Sequence, residues 1–215
     1  MSLRARDILL LFVGWVFVAV VLIALVLVFR SRISEPTGGP KPAPTYTVVY
    51  TQVTARSLHP TAEGQARAWQ PDAQLVSLTA TWRGTAVNLV GQPTQWVYRF
   101  YSPSQRHYYF VSVTPDGQVQ GIEHARKVDL APPVVPLEAW RVDSVQALAT
   151  WLDSGGGARL GAKPGIEVSA QLNVPSEGGE PTWAVVGFDT VSNDYITVMI
   201  HADSGDVLQT VDPSP

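Results

Sequence analysis

Four histidines, His59, His107, His124 and His201, are the side chains best suited to acid–base or metal chemistry. None stands in an HExxH arrangement or at another close ligand spacing, so the pattern implies no zinc centre. His107 and His201 fall at similar places in two similar strands, and a shared metal would need both on one face. No serine occupies a Gly-x-Ser-x-Gly elbow. The stretch from Gly155 to Lys163 has the glycines and lysine of a phosphate loop. However, Pro164 follows where Ser or Thr is required, and a helical pattern precedes it where a strand is required. It reads as a helix end plus a loop. Asp194, Asp203 and Asp206 could offer oxygens to calcium, but EF-hand spacing is missing and Asp203-Ser204-Gly205-Asp206 is explained by turn geometry. The chain has no cysteine, which excludes disulfides, thiolate metal sites and cysteine nucleophiles. These residues imply no catalysis, no metal and no cofactor.

The aromatic residues point elsewhere. Trp69, Trp82, Trp96, Trp151 and Trp183 fall at helix ends or at strand positions that face a core. Trp140 lies in a proline-rich connector and is expected to be an exposed contact. Tyr98, Tyr101, Tyr108 and Tyr109 cluster in one hairpin, where some must face outward. An aromatic sheet face with little charge suits a protein partner better than a small-molecule pocket. These five residues are the expected protein contacts.

Residues 8–29 form a run of 22 without a charge. As a helix it spans roughly 33 Å, enough to cross a hydrocarbon core. The run is longer than a signal-peptide apolar region and ends in Phe29-Arg30-Ser31-Arg32 without a cleavage pattern. A single-pass anchor is therefore expected over 1–33, binding the lipid bilayer through residues 8–29. Arg4 and Arg6 nearly balance Arg30 and Arg32, so charge bias leaves the orientation open. Residues 34–44 are a Pro/Gly-rich spacer.

Beyond residue 44 the pattern occurs twice. A helical stretch ends near Trp69, Leu75 to Trp82 alternates as a half-buried strand, Trp96 to Phe100 alternates again, and a hairpin turns at Asp116-Gly117. Then Asp143 caps a helix with Gln146 reaching back, Gly155-Gly156-Gly157 ends it, and Ile166 to Asn173 alternates. Trp183 to Val186, Tyr195 to His201 and a turn at Gly205 follow. From strand Trp to turn Gly is 21 residues in the first passage and 22 in the second. The expected class is α+β: two α-β-β-β(-β) units with antiparallel sheets, over 45–127 and 143–215. The proline-rich connector 128–142 lies between them, suited to crossing from one sheet to the other. Residues 45–58 fit either a strand or an extension of the first helix.

The order helix, strand, Trp-led strand and Asp-Gly or Ser-Gly hairpin resembles PepSY-like modules. It is carried by Trp96 to Tyr101 with Tyr108 to Val119, and by Trp183 to Phe188 with Tyr195 to Leu208. The resemblance implies a non-catalytic, extracytoplasmic module that binds or restrains another protein, and the modules have been linked to peptidase inhibition. Charge agrees with part of this. Residues 1–44 carry five basic and two acidic side chains, and residues 45–215 carry ten basic and sixteen acidic ones. The domain therefore has net charge −6, which argues against nucleic-acid binding. The expectation is a membrane-anchored binding module for an unidentified envelope or membrane protein. An accessory structural subunit of a membrane complex is the alternative.

Overall fold

The computed structural model describes residues 53–82, 93–162 and 165–213. The chain divides after Pro42, and all the described residues belong to the unit Ala43–Pro215. Helix α1 (Ala55–Trp69) is followed by β1 (Gln74–Trp82), β2 (Trp96–Ser102), β3 (His107–Val113) and β4 (Val119–Glu123). Helix α2 (Ser144–Trp151) then leads through a π turn (Leu152–Gly156) into the short α3 (Gly157–Ala162). Four further strands follow: β5 (Glu167–Asn173), β6 (Thr182–Phe188), β7 (Tyr195–His201) and β8 (Val207–Val211).

All eight strands lie in one antiparallel sheet in the order β4-β3-β2-β1-β5-β6-β7-β8. This corrects the expectation of two units with their own sheets. The first strands of the two halves pair with each other, Thr79 opposite Gln171 and Ala80 opposite Ala170. That pairing satisfies two edges that separate sheets would leave open. The connector accordingly does not cross between sheets. It runs along one end of the strands, with Val128 N–H donating to Arg106 O, Val135 N–H to Leu75 O, and Arg141 and Val142 N–H to Ala202 O.

The hairpin registers of the halves agree. Trp96 stands opposite Val113 and Trp183 opposite Ile200, each pair 17 residues apart. Both outer hairpins close on a glycine with positive φ, +85° at Gly117 and +83° at Gly205. In each, the glycine N–H donates back across the turn, to Thr114 O and to His201 O. An L-residue with a side chain is strained there.

The helices cover one face of the sheet, α1 against β2, β3 and β4 and α2 against β5, β6 and β7. Between them lies the core: Leu78, Trp96, Tyr98, Phe100, Val111, Trp140, Leu148, Trp151, Leu172, Trp183, Val198 and Ile200. Residues 55–58, left open between strand and helix, are the first turn of α1, capped by Thr54. Residues 45–52 lie outside the described residues. The glycines at 155–157 end the second helix as expected. The turn breaks at Gly155 (φ +113°) and helix resumes at Gly157. Among the described residues no helix is long and apolar enough to cross a membrane, and the anchor expected over 8–29 lies outside them.

Candidate protein-contact surface

Strand alternation assigns each aromatic residue to a face. In β2, Trp96, Tyr98 and Phe100 point to the helices, and Val97 and Arg99 point away. Tyr98 is therefore a core residue. Its hydroxyl donates to Ala55 O at 2.5 Å, and burial raises its pKa far above the ordinary tyrosine value, with Asp143 adding to the effect. Tyr109 is likewise buried under α1, stacked on Trp69 with ring centroids 4.7 Å apart. Its ring fills the space above Gly121, where a Cβ would collide with it. Trp140 is 1% exposed, a correction to its expected role as a surface contact. It packs edge-on against His59 at 5.7 Å and beside Trp183 at 6.4 Å, and its indole N–H donates to Val142 O. The connector carries it into the core because an indole lying there buries far more surface than a proline-rich strap could alone.

Tyr101 and Tyr108 lie together on the face away from the helices. They are cross-strand partners with centroids 5.8 Å apart, Tyr108 half-buried and Tyr101 nearly covered. The Arg99 guanidinium sits 5.1 Å from the Tyr108 ring centre, and Phe110 continues the cluster at 6.5 Å. The second half holds a matching pair that the sequence reading missed. Phe188 and Tyr195 are cross-strand partners seven residues apart, as Tyr101 and Tyr108 are. The spacing alone could have found them.

Between these two corners the helix-free face is a lattice of uncharged side chains. One row crosses all eight strands: Gln120, Ser112, Val97, Thr79, Gln171, Ala184, Met199 and Gln209. A second contains Thr81, Ser169, Val186, Thr197 and Val211. A third, running from Ile122 through Phe110, Arg99, Ser77, Asn173 and Thr182 to His201, brings in an arginine, and Glu167 stands opposite Phe188 at the second corner. A depression of about 160 Å³ lined by Thr79, Thr81, Thr94, Gln95 and Val97 lies in its middle. No described helix packs on this face. A face so poor in charge and so wide is unusual for a freely solvated sheet, which normally alternates apolar inward and charged or polar outward.

The histidines are engaged in structure. Five strand steps separate β3 from β7, about 24 Å at ordinary strand spacing, so His107 and His201 share no ligand. Among the described residues no group of three His, Asp or Glu side chains converges on a metal position. His107 Nδ1 lies 2.6 Å from Glu123, which also accepts the Trp69 indole N–H at 3.1 Å. These two bonds, His107 first, hold the Glu123 carboxyl below its usual range. His201 Nε2 meets Glu180 at 2.8 Å, and its Nδ1 accepts the Ser204 backbone N–H at 3.2 Å. The Ser204 hydroxyl also lies 3.2 Å from Nδ1, an acid–histidine–serine order. However, that hydroxyl donates to Asp206 at 2.6 Å and Nδ1 is already occupied, so the arrangement fixes the turn.

His59 differs. It is buried among Tyr98, Phe100 and Trp140, its Nε2 meets no partner among the described residues, and its Nδ1 is 4.0 Å from Glu63. Burial holds its pKa below 6.5; Arg67 adds to this and Glu63 opposes it. The unfolded chain therefore takes up a proton near pH 6.5 before the folded one does. This contribution to stability is complete above that pH and is lost as pH falls, by up to about 1.4 kcal/mol per unit. Urea unfolding between pH 7.5 and 5.5 should show this fall, and His59→Gln should flatten it. An equal slope in the variant would contradict the assignment.

No family model matches the chain, and no curated protein does. The resemblance to PepSY-like modules therefore gains no support from either comparison. Among solved structures, the chain is similar to a protein described as a candidate lipoprotein of Clostridium difficile 630. Sequence identity is 12% and the TM-score 0.48, over 74% of this chain and 93% of that one. Similarity at that level assigns no function.

Proposed function

We propose that this chain is a membrane-tethered, extracytoplasmic module that binds another protein and performs no catalysis. The observation that carries the reading is the helix-free face, eight strands wide, uncharged along most of its rows and bordered by the aromatic corners Tyr101–Tyr108 and Phe188–Tyr195. Such a face gains by losing water over a broad area, and its threonines, serines and glutamines offer hydrogen bonds to an opposing surface. A PepSY-like role would make that opposing surface an envelope protein. The tether over residues 8–29 would hold the module near it and raise its effective concentration.

The test is site-specific photo-crosslinking of the full chain in native membranes. A photoreactive residue at Thr81, Thr197 or Phe110 should give one discrete adduct. The same probe at Arg67 or Ala68, on the exposed side of α1, should give none. Equal labelling from both sets, or no adduct from the sheet, would overturn the reading.

A further inference from the structure

The two edges of the sheet are built differently. At the β4 edge, α1 packs over the strand, Trp69 reaches down to Glu123, and the Tyr109 ring lies against Gly121. At the β8 edge, α2 and the π turn stop at β7. Exposure does not separate the edges, since Val119, Gln120 and Ile122 of β4 are exposed as Val207, Leu208, Gln209 and Thr210 of β8 are; the overlying helix does. Among the described residues strand β8 pairs only with β7, so main-chain donors and acceptors along its other side are not paired by another described strand. Natural edges are commonly guarded by lysine or proline. Residues 207–211, Val-Leu-Gln-Thr-Val, hold neither; the irregularity of this edge is a bulge at Leu208, the extra residue of β8 opposite the Met199/Ile200 step, and Gln209 to Val211 beyond it pair regularly.

The charge around this edge is mostly acidic. Residues 143–215 carry ten acidic and two basic side chains, a net −8, whereas 45–142 carry six acidic and eight basic, a net +2. Asp206 and Asp212 stand immediately before and after β8. Asp212 is paired with Arg159, and Asp206 accepts the Ser204 hydroxyl with no ion-pair partner among the described residues.

We propose that β8 accepts, as a ninth strand, an extended segment of a partner protein with an uncharged β-branched centre and lysine or arginine at its flanks. The proposal rests on the protein-binding reading above and names the edge and the chemistry it selects. Main-chain pairing supplies attachment, and the acidic surroundings of the edge, Asp206 foremost, supply the choice of partner.

The test uses the full chain in detergent micelles with two capped synthetic peptides, Lys-Val-Thr-Val-Thr-Val-Lys and its glutamate-flanked counterpart. The lysine peptide should slow amide exchange within 205–213 and bind at least tenfold more tightly than the glutamate peptide. Its affinity should fall severalfold on raising salt from 50 to 300 mM. Leu208→Lys and Thr210→Pro should each weaken it at least tenfold, and Asp206→Lys should erase the preference between peptides. If Thr210→Pro lowers the unfolding temperature, Leu208→Lys alone carries the result. No binding at millimolar peptide, equal binding of the two peptides, protection at β4 or elsewhere, or a dimer sealed at β8 without peptide would each overturn the proposal. Adducts from Thr81 or Thr197 would still stand in that event, since those probes sit on the face and not on the edge.

Discussion

Trp151→Ala should destabilise the domain by about 3–5 kcal/mol, the range for emptying a fully buried indole site that cannot collapse. Trp151 has no exposed surface and lies at the end of α2 between two glycines. A Cβ at Gly187 would stand 2.5 Å from its ring, and one at Gly156 would overlap it. The backbone of β6, held in its ladder, and that of the turn after α2, where the Gly157 N–H donates to Leu152 O, have thus been brought against the indole. Neither can move in to fill the void. The indole N–H also donates to Ile196 O at 3.4 Å, so β7 loses a partner as well. In a domain of this size the loss lowers the unfolding temperature by roughly 10 °C or more. Filling the site from the other side should also fail: Gly187→Val drives two methyls into the ring, with Ile166 at 3.2 Å preventing retreat. Chemical denaturation measures both. A loss below about 1 kcal/mol for Trp151→Ala would mean that the indole does not hold the second half together.

The elements themselves were largely legible, because each announces itself locally. Alternation marks the strands, Asp143 with Gln146 marks a helix start, and the glycines at 117 and 205 mark hairpins. The pairing of β1 with β5 was not legible. Those strands lie about ninety residues apart, and nothing in the period of either says which neighbour it will take. The same limit explains Trp140: proline spacing shows that the connector is extended but not that its end turns into the core beside His59 and Trp183. Tyr98 and Tyr109 are a different case. Their phase relative to Trp96 and Phe100, and to Val111 and Val113, placed them on the helix side, and grouping the tyrosines by type concealed it. Type gives the chemistry of a residue, but phase gives its address.

Asp143→Ala should cost about 2–3 kcal/mol although the residue starts only a short helix. Its carboxylate serves both halves. One oxygen accepts the N–H of Ser144 at 2.6 Å and of Arg56 at 3.1 Å; the other accepts the Thr54 hydroxyl at 2.5 Å. Ser144 Oγ accepts the Ala55 N–H at 3.2 Å. Two of the first three donors of α1 are therefore satisfied by residues at the start of α2, across the seam between halves. An ordinary cap contributes about 1 kcal/mol, and leaving charge-assisted donors without a partner costs more. Removing the carboxylate orphans groups on both helices at once. Asp143→Asn keeps one acceptor and should lose less. Two readouts separate this account from simple fraying of α2. Hydrogen exchange in the alanine variant should rise over residues 55–60, nearly ninety positions away in sequence. A double-mutant cycle with Thr54→Val should show coupling of about 1 kcal/mol, because the two side chains are each other's partners. Additive losses, or exchange confined to residues 144–151, would show that the halves are joined by the sheet alone.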